Sequence, residues 1–234
     1  MLTAILIDGA YFVRRFRAIE PHNYHDAARA ADLAYRWAML HLSEGRRSKS
    51  HSTPTYRRHL YRIFFYDCPP LDKKLHNPIS GLACDFKKSD EAVFRLALHS
   101  ALLSKRKVAL RLGHLSSDTP WTIKPTKIEE LLKKKIKFED LTESDVIPNA
   151  RQKGVDMRIG LDISSLAYKK QVDQIVLFAG DADFVPAAKL ARREGIDFVL
   201  DPMWRSIPDS LKEHIDGLRS TCPKPIKHIQ QPKS

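Results

Sequence analysis

The chain has 234 residues, enough for one sizeable core, and no segment changes composition sharply enough to force a second domain. Lys and Arg number 40 against 28 Asp and Glu, a formal net charge of +12 that favours a polyanionic partner, nucleic acid first. Three cysteines without a C-x-x-C pair argue against a disulfide framework or a zinc site, and no run approaches the ~20 apolar residues of a membrane span, so a soluble, cytoplasmic protein is expected.

The opening residues lack the basic start and long apolar stretch of an export signal. Leu2 to Ile7 is a continuous apolar run ended by Asp8 and Gly9, which predicts a buried parallel strand with an acid at its carboxyl end. From about His25 to Ser43, the near-helical spacing of Ala27, Ala31, Ala34, Trp37, Ala38 and Leu42 predicts an amphipathic helix. The stretch GRRSKSHSTPTYRR is polar and basic, a connector suited to a phosphate backbone. A second strand, HLYRIFFYDC, should end near Asp67, because Pro69 and Pro70 cannot continue a ladder.

Ser89 to Ser104 reads as a helix with Val93, Leu96, Ala97, Leu98 and Ala101 as its apolar stripe. Lys107 to Leu115 reads as a third strand, and Trp121 to Ile123 as the start of a hairpin-like excursion. Thr126 to Phe138 is helical in its first part, with Lys133, Lys134, Lys135 and Lys137 in and just after the last turn. Val155, Ile159, Ile163 and Leu166 then predict a helix that carries Asp156 in its first turn. DQIVLFAGDADF is a strand closed by Gly180, Asp181, Ala182 and Asp183; a helix stopped by Gly195 and a strand, IDFVL, follow. This alternation predicts an α/β fold with a mainly parallel central sheet and helices on both faces. The last residues, 221–234, are basic and contain Pro223, Pro225 and Pro232, which predicts a disordered tail.

Ligand sites in open α/β sheets form beyond the carboxyl ends of the strands. Asp8, Asp181 and Asp183 meet that condition, and Asp156 joins them if its helix begins at the same rim. An Asp after a strand is by itself more often a turn former or helix cap. As a set, these mutually repelling carboxylates point to a shared Mg²⁺ or Mn²⁺, which prefers oxygen ligands and can activate a water against a phosphate. Asp162 is rotated from Asp156 by about 240° on the helix and is expected to be structural, while Asp67 is a secondary candidate. His22, His25 and His114 show no ligand spacing. Lys153, Arg14 and Arg15 are candidates for gripping a phosphate backbone, and Tyr11 for stacking on an unpaired base.

The segments ILIDGAYF, KGVDMRIGLDISSLA and VLFAGDADFVPAAKLARREGIDFVL, in that order, resemble the NYN domain family, and within it the LabA-like branch formerly grouped as DUF88. The resemblance runs from about Leu2 to Leu218 and implies a PIN-like three-layer α/β domain over residues 1–220. It also implies a metal-dependent ribonuclease whose acidic positions fall on Asp8, Asp156, Asp181 and Asp183. Two departures stand out: Ala10 and Tyr11 where many members carry Asn, and Ala179 and Ala182 where many carry Ser. Both remove groups that could orient metal ligands. The expected partner is single-stranded or looped RNA, and a homo-oligomer is left open. The competing expectation is an RNA-binding or regulatory module with little catalysis; a small-molecule phosphatase is less supported because no Gly-rich phosphate loop is present.

Overall fold

The apolar run ahead of Asp8 lies at the middle of the sheet: Ala4, Ile5, Leu6 and Ile7 are fully buried in the computed structural model, which describes residues 1–43 and 58–225. This strand, β1 (Leu2–Asp8), runs directly into α1 (Gly9–Ile19), a helix with no counterpart among the expected elements. Next come α2 (Ala27–Leu40), β2 (His59–Asp67), the small hairpin of β3 (Lys74–His76) and β4 (Ala83–Asp85), then α3 (Asp90–Leu103) and β5 (Val108–Leu112). An excursion follows, made of β6 (His114–Leu115), β7 (Trp121–Ile123), α4 (Pro125–Leu132), β8 (Val146–Pro148) and β9 (Gln152–Lys153). In it β7 pairs antiparallel with β8, and β6 with β9. The chain then re-enters the domain through α5 (Val155–Tyr168), β10 (Gln174–Phe178), α6 (Val185–Arg193), β11 (Asp197–Asp201), α7 (Asp209–Lys212) and β12 (Gly217–Leu218).

Among the described residues the central sheet has six strands in the order β12-β11-β10-β1-β2-β5, all parallel. Successive side chains of its inner strands point to opposite faces, so the sheet builds two cores. Ile5, Ile7, Ile63, Phe65, Val176 and Phe178 pack with Phe12, Trp37 and Leu98 from α1, α2 and α3. Ala4, Leu6, Phe64, Tyr66, Ile175 and Leu177 pack with Ile159, Ile163 and Ala188 from α5 and α6. Each fully buried Ile, Leu or Phe contributes about 1.5–3 kcal/mol, which is why continuous apolar strands sit between two helix layers. The fold is therefore the expected α/β arrangement of a parallel sheet with helices on both faces.

Three expectations need correction. In α3 the buried face is Ala92, Phe94, Leu98, His99 and Leu102, while Val93 and Leu96 face solvent at 59% and 50% exposure. The expected stripe was rotated because Arg95 and His99 turn toward the sheet edge to meet a buried acid, Asp67. Thr221 and Cys222, placed in the expected tail, are anchored: Thr221 donates through Oγ1 to the Trp37 carbonyl at 3.0 Å, and the Cys222 carbonyl accepts the Trp204 indole N–H at 2.7 Å. Finally, α4 forms the expected helical first part of 126–138 but ends at Leu132, so the lysines expected in and just after its last turn all follow it. Residues 226–234 of the tail and the connector from Gly45 through Arg57 lie outside the described residues. No helix among those described is long and apolar enough to cross a membrane.

Candidate functional site

From β1 the chain builds β2 and β5 on one side, then returns to place β10 and β11 on the other. That reversal opens a crevice beyond the carboxyl ends of β1 and β10, where ligands bind in such sheets. Asp8 is the last residue of β1, and Ile7 pairs with Phe178, so Asp8 and the Gly180-Asp181-Ala182-Asp183 turn leave the sheet side by side. Asp156 comes to the same rim in the first turn of α5, a helix packed on β1 and β2. Two glycines fit tight places at this rim, Gly9 against β2 and Gly180 against Tyr11 of α1. A Cβ on Gly9 would lie 2.6 Å from Phe65 Cε1 and from the Tyr66 carbonyl oxygen, and one on Gly180 would lie 2.9 Å from the Tyr11 ring and hydroxyl.

Asp156 is the electrostatic link between Asp8 and the Asp181–Asp183 turn. Burial pushes the Asp8 carboxyl up to about 6; the Tyr11 N–H opposes this, and the Asp156 charge adds to it. Asp156 is likewise raised, by desolvation first and then by Asp183 and Asp181. Asp156 thus couples the end of β1 to the turn after β10. Two of the acids also do ordinary work as caps: Asp8 Oδ1 accepts the Tyr11 N–H at 3.0 Å, and Asp181 Oδ1 accepts the Asp183 N–H at 3.4 Å.

Among the described residues, no group of three or more His, Cys, Asp or Glu side chains is gathered tightly enough to enclose a metal ion. The donor set is nonetheless carboxylate oxygen facing solvent, with Asp156, Asp181 and Asp183 exposed. That suits an ion such as Mg²⁺, which keeps several waters and takes only one or two carboxylates together with substrate phosphates.

The residues expected to touch nucleic acid divide. Arg14 is exposed, and its charge acts on Asp8. Lys153, three residues before Asp156, is exposed on β9, and Gly154, at φ 79°, turns the chain from it into α5. Tyr11 does not serve as expected. It is 5% exposed, wedged against Gly180, and its hydroxyl donates to the Pro202 carbonyl at 2.7 Å, so its ring cannot stack on a base. Arg15 is also committed, donating through Nε and Nη2 to the Met203 carbonyl at 3.1 and 2.7 Å. Asp162 is structural as expected, accepting the Tyr66 hydroxyl at 2.8 Å and lying 3.2 Å from Arg111 Nε.

Asp67 has its own partners. It is fully buried, receives Arg95 Nη1 at 2.6 and 2.7 Å, and lies 2.8 Å from His99 Nε2. His41 is a second buried histidine, 2.9 Å from Asp201 at the end of β11. Motif spacing could not reveal these pairs, since each joins residues from separate elements. The one local signal is the four-residue separation of Arg95 and His99 on one helix face.

Residues 99–220 match the NYN domain. Asp156, Asp181 and Asp183 lie inside that stretch, and Asp8 precedes it. Among solved structures, the chain is similar to a protein of unknown function, VPA0982, from Vibrio parahaemolyticus, at 15% identity and a TM-score of 0.43, covering 94% of this chain and 91% of that one. No curated protein matches the chain.

Proposed function

Because the chain belongs to the NYN domain family, a PIN-like, nuclease-related family whose match spans just over half its length, we propose that it is a metal-dependent ribonuclease. The observation that carries this reading is the meeting of Asp8 and the Asp181–Asp183 turn at the sheet's switch point, with Asp156 electrostatically linked to both. The proposed substrate is single-stranded or looped cytoplasmic RNA, in keeping with the net charge of +12. Placement in the LabA-like branch belongs to the same proposal and rests on the three quoted segments.

In this reading Mg²⁺ or Mn²⁺ would be held by one or two carboxylates at a time from the set Asp8, Asp156, Asp181 and Asp183, and would supply charge neutralisation at the scissile phosphate and a lowered pKa for an attacking water. The chain's own contribution is positioning. Gly180 allows the turn after β10 to close on Tyr11 of α1, Gly9 allows the start of α1 to pass close to β2, the Tyr11 and Asp183 N–H groups orient Asp8 and Asp181, and Arg14 and Lys153 offer cations to flanking phosphates. No side-chain nucleophile is needed.

The second reading, an RNA-binding module without catalysis, is favoured by the lack of a three-ligand group among the described residues. Incubating labelled mixed-sequence RNA with the purified protein separates the two. Cutting with Mg²⁺ or Mn²⁺ that stops in EDTA and is absent from Asp181→Asn supports the nuclease. RNA binding without cutting in any metal supports the module.

A further inference from the structure

Immediately beyond β11 the backbone does something costly. Met203 and Trp204, neither of them glycine, both occupy the left-handed region at φ 46° and 65°. The turn is held in place from several directions. The Pro202 carbonyl accepts the Tyr11 hydroxyl at 2.7 Å and the Arg205 N–H at 2.8 Å, and the Met203 carbonyl receives the Arg15 guanidinium. Buried Asp201 accepts the Met203 N–H at 2.8 Å, and Ser220 Oγ accepts the Trp204 N–H at 2.9 Å. Asp201 is itself fixed by His41 and Thr221.

All of this ordering presents one large side chain to solvent. Trp204 is 48% exposed, while its indole N–H is pinned to the Cys222 carbonyl at 2.7 Å. Such a ring is rigid and half exposed, an arrangement suited to stacking on the face that Lys224 does not cover. One cation lies over it and another follows it in the chain. Lys224 Nζ lies 5.7 Å from the ring centroid, and Arg205 next in the chain is exposed. Burial holds the Tyr11 hydroxyl up at about 12, against the opposing charges of Arg15, Arg205 and Arg14.

The turn is also close to the acids. Phe178 pairs with Asp201, so the residues after β10 and after β11 leave the sheet side by side. Tyr11 spans them, its ring against Gly180 and its hydroxyl on Pro202, while its N–H reaches Asp8.

We propose that Trp204 is the stacking platform for one base of a single-stranded RNA, with Arg205, Lys224 and Arg14 meeting the flanking phosphates as the strand passes over the Tyr11 wedge into the acidic crevice. This rests on the ribonuclease reading and assigns the substrate contact next to its site. Stacking on an aromatic side chain is tolerant of sequence, so the subsite selects unpaired nucleotides over duplex rather than a particular base.

The test is binding of a fluorescein-labelled ten-nucleotide oligouridylate in EDTA, measured by anisotropy for the wild type, Trp204→Phe and Trp204→Ala, with folding verified by circular dichroism. Trp204→Ala is expected to weaken binding about tenfold or more, and Trp204→Phe, which keeps a ring but loses the indole N–H, by less than about threefold. Quenching of tryptophan emission by unlabelled RNA should be seen in the wild type and lost in Trp204→Phe, which decides the matter even if Trp204→Ala fails to fold. Equal affinity of wild type and Trp204→Ala overturns the Trp204 assignment and leaves the nuclease reading standing. So does a Trp204→Phe as weak as Trp204→Ala, since the Cys222 bond would then be what matters. A wild type that binds no RNA overturns both.

Discussion

Replacing Asp67 with Asn tests whether the fold around the crevice depends on a buried charge network. Asp67 is fully buried, and Arg95, whose side chain is 12% exposed, donates to it while also binding Glu91 at 2.8 Å. Removing one partner of a buried ion pair costs about 3–5 kcal/mol, because the remaining charge is left uncompensated. Asn keeps the shape and one acceptor oxygen, and Glu91 still holds Arg95, so the lower end, about 3 kcal/mol, is expected. For a domain of this size that is a fall in Tm of about 6–12 °C. The pH dependence has a definite sign. Burial opposes ionisation of Asp67, but His99 and Arg95 outweigh it and hold its carboxyl below the ordinary 3.8. A lowered carboxylate contributes stability above its unfolded value and loses it as the pH falls through the folded one. Urea unfolding should therefore show the full gap between Asp67→Asn and wild type at about pH 7 and about pH 5, and a shrinking gap in acid below 3.8. A gap under about 1 kcal/mol at neutral pH, the size of a surface pair, would refute the argument.

Gly180→Ala should cost about 1–3 kcal/mol by overpacking and should impair RNA cleavage more than RNA binding, because its Cβ would meet the Tyr11 ring at 2.9 Å and displace the Asp181 turn. Thermal unfolding and single-turnover cleavage check it, and unchanged cleavage would mean the turn need not close on Tyr11. Arg14→Ala should weaken RNA binding similarly for all sequences and lower the slope of log affinity against log salt by about 0.7, the value for one phosphate contact on a single strand. A salt titration with two unrelated oligonucleotides reads this directly, and an unchanged slope would remove Arg14 from the interface.

Much of the architecture was legible because it rests on local pattern. Short continuous apolar runs ended by Asp8 and by the Gly180-Asp181 turn read as strands buried on both faces, and the Val155, Ile159, Ile163 and Leu166 spacing gives α5 directly. The stripe on α3 was misjudged because its apolar residues nearly encircle the helix, and only Asp67, contributed by another strand, fixes which side turns inward. α1 was missed because it starts immediately at the strand end, with Asp8 serving as its cap. That junction also explains Tyr11. An aromatic among arginines after an acid reads as a nucleic-acid contact, yet the first turn of α1 buries it between Gly180 and Pro202. The strained turn at Met203 and Trp204 left no sequence signal at all, since neither residue is one that favours the left-handed region. It depends on Tyr11, Arg15, Asp201 and Ser220, which converge only in three dimensions.

The most direct test of the central claim concerns Asp8, which lies outside the stretch that matches the NYN domain and joins the site only through the sheet. Single-turnover cleavage of labelled RNA should be compared for wild type, Asp181→Asn and Asp8→Asn, with RNA affinity measured alongside. Groups that merely support a metal ligand are worth about 10–100-fold, so loss of a ligand itself should reduce cleavage by at least about 100-fold in both variants, with RNA still bound. An Asp8→Asn protein that folds, binds RNA and cuts at the wild-type rate would contradict a site built across β1 and β10.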